Sequence, residues 1–393
     1  MKENLFARVA SYKNDMVALA DAIFDCPELA LQEKFAVKTL CSYLKNKGFV
    51  VEANTGGLET AFRVVVENGN GGPSIGLLAE YDALPGVNHA CGHHMQGPAM
   101  IAALLSLCET LPKNRSWRIV LYGTPGEEGA GGKIIMANNG CFRDIDVALM
   151  MHGGDMTTYD PTMSANARFS VTYHEKPSDA TGYLENRGSS FDALLLAMSS
   201  LEFMREHLID NARIHYAPLP VGATPGNADV GSASGDFMLR SLSNAYLDDM
   251  INRFKNVVEG AAMMTDTSYS MEQQGFRYKA CFPNQPLADL FYKNAQLADA
   301  PRIMGPRGTM GSTDFGNVME YVPGICARVA FAPKGTGAHS IEWAKAGKSL
   351  EAHNCIEISA KIIAGMAWDI IMDNTLMDDI QADYQIQRNA SGY

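Results

Sequence analysis

The sequence predicts an α/β fold: a largely parallel sheet whose chain is interrupted by a smaller α+β domain. Three observations predict it. Apolar strand-like runs alternate with helical runs through the first part of the chain. From about Ala165 the order changes to β-α-β-β-α-β. After Pro283 the first texture returns. The expected organisation is therefore one discontinuous domain, 1–164 with 279–393, and an inserted domain, 165–278.

Taken in order, residues 5–24 carry apolar positions at helical spacing, and Pro27-Glu28 breaks that run. A second helix runs to about Asn46 and ends at Gly48. Strand-like runs follow at Thr60–Val66 and Ser74–Ala79, then a helix at Gln96–Leu111 and a strand at Trp117–Gly123. A helix at Gly131–Asn138 and a strand at Val147–Met151 complete this part. The inserted part reads as strand Ala167–Tyr173, helix Ser189–His207, strand Asp236–Arg240, helix Leu247–Ala262 and strand Thr267–Gln273. The final part holds a helix at Gln285–Leu297, a strand near Ala327–Ala332 and a long helix from Lys348 to about Asp373.

With 393 residues, 47% of them apolar, the chain can bury a large core. A net charge of -12 argues against a nucleic-acid partner, which needs a Lys/Arg surface. No run is long and apolar enough to span a membrane, and the first 25 residues lack the apolar core of a signal peptide. The eight cysteines follow no disulfide-like spacing and are expected to be reduced thiols of a cytoplasmic protein.

The chemistry is concentrated just after the predicted strands. Glu80 to His94 reads E-Y-D-A-L-P-G-V-N-H-A-C-G-H-H. Cys91 and His93 bracket Gly92, and a thiolate and an imidazole that close can share one divalent metal or hold two adjacent ones. Alone, this spacing more often means a buried Cys beside a surface His. Glu127 and Glu128 follow the strand Trp117–Gly123. Adjacent carboxylates suit a division of labour, one on metal and one taking a proton from water, but they also suit a helix N-terminus. His152 follows the strand at 147–151, and His339 lies in a Gly-rich loop after a later strand. Four such clusters, each beyond a strand, offer Cys91, His93, Glu128, His152 and His339 as five ligands for one or two metals. Mixed imidazole, carboxylate and thiolate donors favour zinc, with manganese, cobalt or nickel as alternatives.

These motifs resemble the dinuclear metal amidohydrolases of metallopeptidase family M-twenty. They come closest to the branch that contains the p-aminobenzoyl-glutamate hydrolases and the aminoacylase-1-like protein 2. The resemblance runs through Pro27-Glu28-Leu29 and Glu33, A-E-Y-D-A-L-P-G, H-A-C-G-H, G-T-P-G-E-E-G-A-G-G-K, M-M-H-G-G and Arg213-Ile214-His215-Tyr216. It closes on Gly311 to Val318 and His339-Ser340. It implies that Cys91, His93, Glu128, His152 and His339 hold two divalent ions, with Glu127 as general base and Asp82 supporting a ligand histidine. His89 is implied to be structural or supporting, and His94 stands where the branch has Asn or Asp.

The implied activity is hydrolysis of a small-molecule amide by metal-activated water. The substrate would be an N-acyl amino acid, a dipeptide or an aminobenzoyl-glutamate-like compound. The inserted domain is implied to be a lid that also pairs two copies of the chain.

Within the lid, two positions depart from the family pattern. Asp179 falls where the lid carries a histidine, and Gly222 falls where it carries an asparagine. Arg240 keeps the lid arginine that can hold a substrate carboxylate. One unit charge at ~4 Å and an effective dielectric of ~20 is worth roughly 4 kcal/mol, so Asp179 is expected to alter substrate choice. The alternative is a non-hydrolytic member of the family that binds a ligand or partner.

Overall fold

The computed structural model describes residues 2–175, 188–219, 231–308 and 311–393. Among them are eleven strands, which we number in chain order. These are β1 (Glu52–Ala53), β2 (Phe62–Asn68), β3 (Ser74–Ala79), β4 (Trp117–Gly123), β5 (Val147–Gly154) and β6 (Thr158–Tyr159). They continue as β7 (Ala165–His174), β8 (Arg213–Pro218), β9 (Ser232–Ser241), β10 (Ser268–Gln273) and β11 (Gly324–Ala330).

The chain divides into two compact units, Met1–Met163 with Cys281–Ala390, and Ser164–Ala280 with Ser391–Tyr393. The first is built on a seven-stranded sheet in the order β1-β2-β4-β3-β5-β11-β6. Its centre is parallel: β4, β3, β5 and β11 run the same way, so their carboxyl ends share one edge. The outer pairings, β1 with β2, β2 with β4 and β11 with β6, are antiparallel.

β3 and β5 are buried at every position, as expected for parallel strands covered on both faces. Helices Gln96–Thr110 and Leu350–Met372 belong to the same apolar core. That core also takes in Leu5, Val9, Met16, Ala20 and Ile23 near the start of the chain.

The second unit has a four-stranded antiparallel sheet in the order β10-β7-β9-β8. Its strands alternate: Ala167, Phe169, Val171 and Tyr173 of β7 face a core shared with helices Ser190–Arg205 and Asn244–Met264. Arg168 and His174 point the other way and are exposed.

Three expectations change. The single helix expected at 5–24 is two helices, Lys2–Ser11 and Lys13–Asp25, interrupted at Tyr12. Strand β8 fills the place that the β-α-β-β-α-β order left without assigned residues, and the last helix, Asn374–Ala390, was not expected. The strand expected to end at Met151 continues to Gly154, so His152 lies within β5 rather than after it.

Candidate metal centre

The carboxyl ends of β3, β4, β5 and β11 bring the expected donors together. Beyond β3 the chain passes Glu80 and Asp82 and reaches Cys91 and His93. Gly92 between them has φ 85°, a left-handed turn that a side chain would strain. Beyond β4 come Glu127 and Glu128; β5 carries His152; the loop after β11 carries His339. The His339 backbone N–H donates to Ala90 O at 2.9 Å, which ties that loop to the Cys91 segment.

Two groups of donor atoms, each within 4.8 Å of one another, share the Cys91 sulfur: Cys91, His93 and His152, and Cys91, Glu128 and His339. A third group of the same compactness joins His93, Glu127 and Glu128. Cys91 Sγ lies 3.3 Å from His152 Nε2, and His339 Nε2 lies 3.3 Å from Glu128 Oε1.

The histidines are aimed by their outer nitrogens. His93 Nδ1 is 2.9 Å from Asp82 Oδ1. An ionised carboxylate can only accept, so Nδ1 carries the proton and Nε2 faces inward. His152 Nδ1 is 2.8 Å from Gly153 O, with Arg328 Nη1 3.0 Å from the same nitrogen. Arg328 is paired in register with His152 across β5 and β11, and Asp160 holds its guanidinium.

This donor set fits a cation. His93 Nε2 and Glu128 Oε1 are buried without a hydrogen-bond partner, although His93 Nε2 passes 3.2 Å from Glu80 Oε2 without bonding geometry. Burial works against charge at Cys91, yet His93 and His152 hold its thiol well below the usual range. The closeness of Cys91 and Glu128 pushes His339 up to about 10. Burial, followed by Glu80 and Glu128, raises Glu127 well above the usual carboxylate range. Thiolate and carboxylates are thus crowded where positive charge is favoured.

Behind Glu127 lies a buried ion cluster that sequence reasoning did not assign. Lys133 Nζ bonds Glu80 Oε1 at 2.5 Å and Asp314 Oδ1 at 2.7 Å, with all three side chains at most 1% exposed. Glu80, Glu127 and Asp314 form a further compact carboxylate group. Lys133 and Asp314 both sit inside motifs that carried the resemblance, so a signal existed, but not for their pairing.

His89 and His94 lie outside the donor groups. Their Nε2 atoms approach Ile23 O at 3.1 Å and Gly347 O at 2.8 Å. Asp179 and Gly222 lie outside the described residues. Arg240 is in the second unit, on β9, opposite Arg213 of β8 and Asn166 of β7.

Comparison with known proteins places these observations. The model of peptidase family M20/M25/M40 matches residues 76–364. The chain is 27% identical to a p-aminobenzoyl-glutamate hydrolase subunit of Escherichia coli, over 93% of this chain and 91% of that protein. It is 29% identical to the Xaa-Arg dipeptidase of Homo sapiens, over 94% of this chain and 88% of that one. Among solved structures, an aminobenzoyl-glutamate utilization protein from Klebsiella pneumoniae matches with TM-score 0.71 at 17% identity, covering 93% of this chain and 98% of that one. A dinuclear metal binding peptidase of Bacillus subtilis matches with TM-score 0.70 at 16% identity, covering 92% and 99%. At such identities the structural likeness speaks for the fold alone.

Proposed function

As a member of peptidase family M20/M25/M40 this chain is a metal-dependent amidohydrolase, and we propose that it hydrolyses the amide bond of an N-acyl amino acid, a dipeptide or an aminobenzoyl-glutamate-like substrate, with Glu127 as general base. One observation carries the reading: two donor groups that share Cys91, with Glu127 in contact range of both His93 and Glu128.

In this reading Cys91, His93 and His152 would hold one divalent ion, and Cys91, Glu128 and His339 would hold a second. The mixed donors favour zinc, then manganese, cobalt or nickel. Such ions supply Lewis acidity, which lowers the pKa of water and polarises a carbonyl. The protein's own part is proton handling and aim. Glu127 takes a proton from the attacking water on its carboxylate and returns it to the leaving amine nitrogen. Asp82 orients both neighbours, accepting from His93 on Oδ1 and from the Glu128 backbone N–H on Oδ2 at 2.8 Å. Lys133 keeps Glu80 ionised: burial works against that charge, yet Lys133 and His93 hold the carboxyl down to about 2.

The second unit is assigned substrate selection through Arg240 and Asp179. A substrate bearing a carboxylate suits Arg240, whereas one bearing a cation suits Asp179. Its exposed Phe191, Leu195 and Phe203 on helix Ser190–Arg205 support a contact between two copies of the chain. The compact donor groups with Glu127 beside them support hydrolysis over a non-hydrolytic binding role.

Elemental analysis should return two metals per chain. Glu127→Ala should lower kcat by about 10³-fold with both metals retained; normal turnover by that variant would remove the assignment.

A further inference from the structure

Glu33 is fully buried, at 0% exposure, yet it belongs to neither the metal donor groups nor the Lys133 cluster. Its Oε1 accepts two backbone N–H groups, from Leu31 at 2.9 Å and from Gly126 at 2.8 Å. Both residues are left-handed, with φ 62° and 71°. For Leu31 that conformation is costly and needs support from its surroundings. The Leu31 side chain covers Gly126 so closely that a Cβ there would stand 2.8 Å from Leu31 Cδ2.

Gly126 is the residue before Glu127. On the far side, the Glu128 N–H is held by Asp82. Glu127 is therefore suspended between two carboxylate anchors, Glu33 before it and Asp82 after it. The turn that carries Glu33 is itself fixed to the Asp82 segment: Leu29 bridges Ala83, and the Ala83 N–H donates to Glu28 O at 2.8 Å.

We propose that Glu33 is a positioning residue for Glu127, clamping the Gly126 turn so that the base stands at a fixed place beside the metal donors. The proposal rests on the reading of Glu127 as general base. Burial pushes the Glu33 carboxyl up to about 7, so an ionised group here is costly. A leucine or methionine would fill the same space without that cost but could not accept the two N–H groups.

The test is steady-state kinetics with whichever of p-aminobenzoyl-glutamate, an Xaa-Arg dipeptide or hippurate the native enzyme turns over fastest. Glu33→Ala should lower kcat by about 10²-fold, the size of effect expected when a reacting group is displaced by ~1 Å. KM and metal content should stay within about threefold. Glu33→Gln keeps the accepting oxygen and should recover kcat to within about fivefold of native; it also serves if the alanine variant does not fold. Native-like kcat in Glu33→Ala would overturn the proposal, as would loss of metal together with activity, or a glutamine variant no better than alanine. Glu127→Ala is run in parallel. If it keeps turnover, the assignment of the base fails and the clamp with it. If it is inactive while Glu33→Ala is active, the clamp alone fails.

Discussion

In the seven-stranded sheet β3 and β5 are buried along their whole length, whereas in the four-stranded sheet β7 and β9 alternate between core and partly exposed positions. Charge behaves differently on the two. At the edge of the first sheet Lys133, Glu80 and Asp314 are almost wholly dry, so each needs its partners. On the open face of the second, Arg168 and Arg213 are exposed, and Arg213 stands directly across from Arg240. Like charges opposed across strands are unfavourable, and water makes that tolerable. Burial and then Arg168 pull Arg240 down from the ordinary arginine range. The difference teaches where substitution is cheap. The proposed metal donors sit beside buried, paired charges, with His339 the exposed member, and substrate choice is assigned to a face that can change without undoing the fold.

The sharpest way to break this contrast is at the sulfur shared by both donor groups. Cys91→Ala should lose both metals and with them turnover, while His339→Ala should keep about one metal. Elemental analysis after dialysis measures this, and two metals retained by Cys91→Ala would end the shared-ligand reading.

Next in size is one substitution type made on both sheets. Lys133→Met leaves two buried carboxylates without their cation and should cost about 3–5 kcal/mol. Arg168→Met, on the exposed face, should stay within about 0.5 kcal/mol. Denaturant titration of both variants is the check, and equal costs would erase the distinction.

A third measurement follows stability against pH. The Glu33 carboxyl lies at about 7 rather than 4.5, facing Asp82 and Tyr81, with the backbone of Leu31 and Gly126 and the side chain of Thr60 around it. The folded state then holds its proton more tightly than the unfolded chain, so stability falls as pH rises from about 4.5 through 7. Glu33→Gln removes that contribution. Its melting temperature should gain on the native protein between pH 5 and pH 8, by an amount equivalent to at most roughly 3 kcal/mol. A difference that does not vary with pH would contradict the raised carboxyl.

The smallest effect is expected on the open sheet. Arg240→Ala should raise KM for carboxylate-bearing substrates about tenfold, or ~1.4 kcal/mol, with metal content unchanged. Unchanged KM across a panel of carboxylate and amine substrates would remove Arg240 from substrate choice.

Much of the fold was legible because its signals are local. β3, β4 and helix Gln285–Leu297 begin and end where the apolar runs and breakers place them. β8 was expected from the β-α-β-β-α-β order, but no residues could be assigned to it, because it is an edge strand with one buried residue, Ile214, between Arg213 and His215. Helix Asn374–Ala390 was missed because its sequence is rich in Asp, Gln and Asn, and among its described side chains only Ile380 and Tyr384 are buried. Part of the site was legible for the same reason as the strands: Glu127 and Glu128 lie close after Gly123, and His152 follows the run at 147–151, whereas Cys91, His93 and His339 lie further from their strands and were marked by the motifs that carry the resemblance.

The sequence by itself determined the donor types and their place at strand ends, because both depend on residues close in the chain. Only the tertiary structure decided that Cys91 serves two donor groups, that Lys133 is shared with Asp314 across 181 positions, and that Glu33 reaches Gly126 across 93. No local pattern encodes those pairings. They exist because parallel strands deliver distant segments to one dry edge, where each buried charge must be answered by whatever the fold brings within reach.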